Sequence, residues 1–71
     1  MKRRILLQLI AKGAREQGVE WRRARQGADH EIWRCESVAV HVPRHRDLNQ
    51  VTAERTLREL ERVLGKDWWR S

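Results

Sequence analysis

The chain has 71 residues, of which 39% are hydrophobic, and a formal net charge of +6. A chain of this length forms one domain, residues 1–71, and buries only about 60% of its unfolded surface, which excludes a deep pocket for a large cofactor. We expect no cofactor. We also expect no metal site, because Cys35 and the three histidines do not follow a spacing typical of zinc ligands.

The apolar segment near the N-terminus is too short to target or anchor the chain. It begins at Ile5, is interrupted by Gln8 and ends before Lys12. A signal peptide needs an apolar run of about 7–15 residues, and a membrane span needs about 20. The single cysteine cannot form a disulfide within the chain, which is typical of a reducing compartment. We therefore expect a cytoplasmic protein that does not bind membranes.

The excess positive charge lies in the first two thirds of the chain. Residues 1–46 contain eleven Lys or Arg against five Asp or Glu, whereas residues 47–71 contain five of each. Thirteen of the sixteen basic residues are arginine, and guanidinium groups bind phosphate through paired hydrogen bonds and stack on bases. This pattern favours a nucleic-acid partner. Arginine-rich codon usage is the alternative explanation.

The first predicted element is a helix over residues 2–16. Its apolar residues fall on one stripe, which consists of Ile5, Leu6, Leu9 and Ile10. The helix starts with Lys2, Arg3 and Arg4, at the end where the helix dipole disfavours cations. Cations in that position suggest either an external anion or an ordinary solvated helix start.

Three strands are predicted next, over residues 19–26, 30–35 and 38–42. A turn at residues 27–29 joins the first two strands, and residues 36–37 form a two-residue hairpin link between the second and third. Val38, Val40 and Val42 alternate along the third strand, which indicates that one of its faces is buried. Pro43 ends that strand or places it at an edge of the sheet, because proline cannot donate a hydrogen bond.

A second long helix is predicted from about Asn49 or Val51 to Leu64, with Gly65 as its stop. Asn49 or Thr52 can cap its start. Both helices have one apolar stripe and can pack on the same face of the sheet. The predicted fold is therefore α+β, a two-layer α-β-β-β-α sandwich with a three-stranded antiparallel sheet.

The predicted hairpin brings two histidines to one end of the sheet. If the second and third strands pair through residues 36–37, His30 lies opposite Pro43, and His45 follows two residues later. Arg44 and Arg46 flank this point. His41 alternates with the valines, so we expect it on the opposite face of the third strand, as an ordinary surface residue.

This arrangement suits RNA cleavage, which needs a base for the 2′-hydroxyl, an acid for the leaving oxygen and cations for the phosphate. Histidine can perform either proton transfer near neutral pH. The alternative for His30 is a surface turn residue. Trp21 and Trp33 fit partial burial better than base stacking. Trp68 and Trp69 can cover the core or anchor a partner.

Three features follow one another along the chain: the basic start of the first helix, Gly27-Ala28-Asp29-His30 and Val40-His41-Val42-Pro43-Arg44-His45. In these features, over roughly residues 1–64, the chain resembles the HicA family of toxins from toxin–antitoxin systems. The resemblance implies a fold related to double-stranded-RNA-binding domains, mRNA interferase activity and inhibition by a HicB-like antitoxin. It also implies that His30, which follows a small-residue turn, is the catalytic histidine. Asp29 stands where many members have serine, and contact with His30 would favour the charged imidazole.

These observations predict a metal-independent endoribonuclease that cleaves mRNA. The catalytic residue is His30, with possible support from His45. The predicted RNA-binding residues are Lys2, Arg3, Arg4, Arg25, Arg34, Arg44, His45 and Arg46. We expect a monomer when free and a hetero-oligomer with the antitoxin. The alternatives are a non-catalytic RNA-binding module on the same fold and a structural subunit whose basic face binds an acidic protein.

Overall fold

The structure is a computed structural model, and it describes residues 1–70. The elements in chain order are α1 (Arg3–Gln17), β1 (Trp21–Gln26), β2 (His30–Cys35), β3 (Val38–Pro43), α2 (Gln50–Glu59) and α3 (Glu61–Leu64). The strands form one antiparallel sheet in the order β1-β2-β3. The predicted α+β class and three-stranded antiparallel sheet are confirmed. No helix within residues 1–70 has the length and apolar character needed to cross a bilayer.

Two of the predicted elements differ from the structure by more than one residue. The first strand begins at Trp21 rather than at residue 19, because Gly18 ends α1 in the left-handed conformation (φ 69°) and the Val19 N–H still bonds to the Ala14 oxygen. The predicted continuous second helix is wrong, because the chain departs from α-helical geometry at Leu60. The Leu60 N–H bonds to the oxygen of Leu57, only three residues back.

The predicted β2–β3 hairpin is confirmed residue by residue. Cys35 pairs with Val38 at the turn, and the register continues to His30 opposite Pro43. Glu36 takes a positive φ of 56° in the two-residue link. β3 is an edge strand and Pro43 is its last residue, so the missing proline N–H costs no internal hydrogen bond.

The helices cover one face of the sheet and leave the other open. The buried core contains residues from α1, β2, β3, the loop after β3, α2 and α3, namely Leu6, Ile10, Ala14, Cys35, Val40, Val42, Leu48, Leu57, Leu60 and Leu64. We call the uncovered side the open face. Because side chains alternate along a strand, the residues between the buried ones, such as His30 and His41, lie on it.

The tryptophans pack against the core. Trp21 and Trp33 stack with ring centroids 4.8 Å apart, and both are half-buried on the helix side of the sheet. Trp68 donates from its indole N–H to the Leu57 oxygen at 2.9 Å. A Cβ on Gly13 would lie 2.8 Å from the Trp68 ring, so only glycine allows this close approach. The tail therefore covers one end of the core.

Candidate nucleic-acid interface

The N-terminus is fixed against the loop that follows β3. The Met1 amine donates to the Leu48 oxygen at 2.9 Å, and the Leu48 N–H donates to the Met1 oxygen at 2.8 Å. Two residues further along the N-terminal segment, the Arg3 N–H donates to the Arg46 oxygen at 2.9 Å. These contacts join segments more than 40 residues apart in the sequence. They hold the basic start of α1 beside the basic end of β3.

The two basic segments form one groove of about 460 Å³, which we call the cationic groove. The sequence predicted these cations as RNA-binding residues, and the structure places them together. The groove is lined by Lys2, Arg3, Arg4, Arg44 and Arg46. Within residues 1–70, Arg3 is the only one of these cations in an ion pair. The remaining four cations are exposed, so an anion can reach them from solvent.

Arg3 is held by Glu31, a carboxylate that is only 5% exposed. Glu31 also accepts hydrogen bonds from the Trp33 indole at 3.1 Å and from Arg23 at 3.3 Å. Arg3 donates in addition to the Pro43 oxygen at 2.8 Å. Burial by itself would raise the pKa of Glu31, but the Trp33 hydrogen bond and the two arginines hold the pKa below its ordinary value. The carboxylate therefore ties α1 to the end of the sheet.

A second groove, of about 400 Å³, lies on the open face, and we call it the histidine groove. Its lining residues come from β1, the β1–β2 turn, β2 and β3, and they are Arg25, Gly27, Ala28, Asp29, His30, Ile32 and His41. The predicted residues His30 and Arg25 thus share one site. Ile32 is half-buried between them and forms an apolar floor.

The nearest aromatic neighbour of His30 is His41. Their ring centroids are 6.5 Å apart with the planes at 71°, an edge-on arrangement. The register explains this contact, because Ile32 pairs with His41 and His30 is two residues from Ile32 on the same face. No ion pair joins His30 to Asp29 in the part of the chain described.

Arg44 connects the two grooves. Its guanidinium lines the cationic groove and donates to the Gly27 oxygen at 3.1 Å, while its backbone N–H donates to the Asp29 oxygen at 3.0 Å. The Gly27 N–H donates to the His30 oxygen at 2.9 Å, and this hydrogen bond closes the same turn. Arg44 therefore supports the turn that carries His30 and also lines the cationic groove.

Two other predicted residues lie outside both grooves. His45 is exposed in the loop after β3 and lines neither groove. Arg34 is exposed on the open face, opposite Arg22 on β1 and Ala39 on β3. The prediction that His30 and His45 emerge at the same end of the sheet agrees with the register, but the histidine that shares a groove with His30 is His41.

The cysteine is not part of either groove. Cys35 is fully buried in the core, and burial together with the nearby Glu36 charge raises the pKa of its thiol. Its sulfur stays protonated and unreactive near neutral pH. Among residues 1–70, no three His, Cys, Asp or Glu side chains are grouped closely enough to hold a metal ion. The ionisable residues that line the histidine groove are Arg25, Asp29, His30 and His41.

Two residues of the site were not identified from the sequence. Glu31 alternates with His30 and Ile32, so its place on the inner face could have been read from the strand period. His41 lies on the open face by the same alternation, and it was predicted as an ordinary surface residue. Both signals concern which face a side chain takes, whereas the site was predicted from the end of the strand that each histidine occupies.

Searches of the chain against protein-family models, curated proteins and solved structures find no match. The two grooves, their charges and the Arg44 connection between them are therefore the basis for assigning a function.

Proposed function

We propose that the chain is a metal-independent endoribonuclease that cleaves mRNA, with His30 as its catalytic residue. The observation that carries this proposal is the position of His30 in an open groove that Arg44 joins to a groove of free cations. The first groove supplies a proton-transfer group. The second supplies a binding surface for the polyanionic backbone.

The cationic groove suits a single RNA strand. Its free cations are one lysine and three arginines, and arginine matches phosphate oxygens through paired hydrogen bonds. The groove also lies at the first turn of α1, a 15-residue helix with no acidic residue in that turn. The partial positive charge of this helix end adds to the attraction for phosphate.

The histidine groove supplies the chemistry. An imidazole removes the proton from a ribose 2′-hydroxyl, whose oxygen then attacks the adjacent phosphorus. DNA lacks this hydroxyl, so the reaction selects RNA. Arg25 lies in the same groove and has no ion pair among the described residues. Its charge is placed to stabilise the negative charge that develops on the phosphate oxygens.

The finer fold and family assignments belong to this proposal. We place the α+β sandwich in the class related to double-stranded-RNA-binding domains and the chain among HicA-like toxins of type II toxin–antitoxin systems. The order of elements and the position of His30 after residues 27–29 support this assignment. The test is incubation of the purified protein with a long mRNA in the presence of a chelator. We expect defined fragments; binding without fragments would instead indicate a non-catalytic RNA-binding module.

RNA binding should weaken steeply as salt rises. If about four phosphates contact the cationic groove, the slope of log K against log salt for single-stranded RNA is about −3. Replacing Arg44 and Arg46 by alanine removes two contacts and should flatten the slope to about −1.4. Fluorescence anisotropy with a labelled oligoribonucleotide across a salt series measures both slopes.

The matched control is the double substitution of Arg15 and Arg62 by alanine. It removes the same charge, but Arg15 lies in the last turn of α1 and Arg62 lines a depression with Ser37 and Val38. Neither residue lines the cationic groove. A control that flattens the slope as much as the groove variant would show that net charge, rather than the groove, binds RNA.

We also propose that an acidic HicB-like antitoxin inhibits the protein by covering both grooves. Residues 1–46 carry the whole charge excess, and both grooves belong to this part of the chain. Complementary charge speeds association and loses its effect as salt rises. Footprinting of a hetero-oligomer with a HicB-like protein should show His30 and Arg44 protected. If both stay as accessible as in the free monomer, inhibition does not act by steric masking.

A further inference from the structure

We propose that His41 is a second catalytic residue and that His30 and His41 form a pair that transfers both protons of the cleavage reaction. The inference deepens the proposed ribonuclease function and rests on it. It identifies the reaction as transphosphorylation to a 2′,3′-cyclic phosphate. It also assigns a function to a strand residue whose sequence position predicts only a surface side chain.

The geometry carries the pairing. The two imidazoles come from adjacent strands, both are exposed on the open face, and their centroids are 6.5 Å apart. A phosphate oxygen accepts a hydrogen bond from nitrogen at about 2.7–3.2 Å, so one phosphate group placed between the rings can contact both. The edge-on orientation leaves the rings unstacked, which allows their nitrogen atoms to face the groove.

The backbone holds this pair without help from a flexible loop. Hydrogen-bonded register fixes Ile32 opposite His41 and His30 opposite Pro43. Arg44 and Gly27 close the turn that precedes His30. Groups built on paired strands are positioned more precisely than groups on loops, and such positioning is what proton transfer at a reacting phosphate requires.

The reaction balances with two imidazoles and no further reactant. The neutral imidazole takes the proton of the 2′-hydroxyl as its oxygen forms a bond to phosphorus. The bond from phosphorus to the 5′-oxygen breaks, and the protonated imidazole gives its proton to that oxygen. The products are a 2′,3′-cyclic phosphate and a 5′-hydroxyl. No electron is transferred, and the two histidines have exchanged their protonation states.

The charged groups around the pair come from every element that borders the groove. Arg25 approaches from β1, Arg34 lies further along β2, and Asp29 and Arg44 flank the turn. The three cations attract the bound phosphate, whereas the Asp29 carboxylate repels it.

The first experiment measures single-turnover cleavage of an RNA oligonucleotide by the wild-type protein, His30→Gln and His41→Gln. We expect each variant to cleave about 10²–10⁴-fold more slowly than wild type. The control Arg62→Gln, in α3, changes a residue that lines a depression with Ser37 and Val38, and it should keep the wild-type rate. Wild-type rate should be bell-shaped against pH, and each histidine variant should lose one limb of the bell.

The second measurement separates the acid from the base. A substrate whose 5′-bridging oxygen is replaced by sulfur releases a thiolate, which needs no proton from the enzyme. We expect this substrate to restore most of the rate in the variant that lacks the acid and to leave the other variant slow. A positional role for His41 would slow both substrates equally, so it would not reproduce this difference.

The outcomes distinguish the two proposals. If the wild-type protein does not cleave RNA, the proposed function fails and the pair fails with it. If wild type cleaves RNA but His41→Gln keeps the wild-type rate, or if the sulfur substrate rescues neither variant, the two-histidine mechanism alone is overturned. Loss of activity counts only when thermal unfolding shows that the variant folds as wild type does.

Discussion

The substitution His30→Ala is expected to slow RNA cleavage by about 10²–10⁴-fold, the usual contribution of general acid–base catalysis. The fold should survive, because the His30 side chain is exposed and only its backbone oxygen takes part in the turn. Exposed substitutions of this kind usually change the free energy of unfolding by less than about 0.5 kcal/mol. Gel assays of mRNA fragments and thermal unfolding of the purified variant measure the two effects.

In cells, the same substitution should remove growth arrest on induction. Arg62→Ala, expressed at the same level, serves as the control because Arg62 is exposed and outside both grooves. Growth arrest that continues unchanged with His30→Ala would show that His30 is not the catalytic residue. RNA binding by the variant should keep the wild-type salt dependence, since the cationic groove is unaltered.

The substitution Glu31→Gln should lower the free energy of unfolding by about 1.5–3 kcal/mol, the range for hydrogen bonds to a charged group. The neutral amide keeps the shape but loses the charge that holds Arg3 and Arg23. Its NH₂ group can also face the Trp33 indole donor, which would leave a donor unsatisfied. Arg3 and Arg23 are partly exposed, so water recovers part of their loss. Urea unfolding measures the change.

The contribution of Glu31 also predicts how stability depends on pH. Its pKa in the folded protein lies below the ordinary value of 4.5, so the carboxylate stabilises the fold fully above about pH 4.5. This stabilisation is lost as pH falls from there through the folded pKa, because the unfolded chain then binds the proton more readily. The Glu31→Gln variant should lack this part of the acid destabilisation.

Glu59→Gln is the matched control for Glu31→Gln. Glu59 is exposed at the end of α2 and forms no ion pair within residues 1–70. Its loss should change the free energy of unfolding by less than about 0.5 kcal/mol. If Glu31→Gln unfolds at the same urea concentration as wild type and Glu59→Gln, the buried carboxylate does not stabilise the protein.

The sheet could be predicted because the residues that determine its strands and their register lie close together in the sequence. The alternation of Val38, Val40 and Val42 fixes which face of β3 is buried, and a slip of one residue would expose all three. A two-residue link then leaves one register between β2 and β3, and that register places His30 opposite Pro43. The break at Leu60 was not predictable in this way, because the apolar pattern continues through it.

The cationic groove needed information that local patterns do not contain. Lys2 and Arg46 meet because Met1 and Leu48 exchange two backbone hydrogen bonds, and no periodicity in the sequence encodes that pairing. The partner of Glu31 is equally non-local, since Arg3 reaches it from α1 across 28 residues. Alternation could place Glu31 inside, but it could not say which cation neutralises it.

The chemical ends of the RNA fragments test the central claim most directly. Mass spectrometry of the fragments made by the wild-type protein from a long mRNA, with chelator present, identifies the groups on both sides of each cut. Cleavage through the 2′-hydroxyl at His30 predicts 2′,3′-cyclic phosphate and 5′-hydroxyl ends, with no cleavage of 2′-O-methylated RNA. Fragments with 5′-phosphate ends, or equal cleavage of the methylated RNA, would contradict the account.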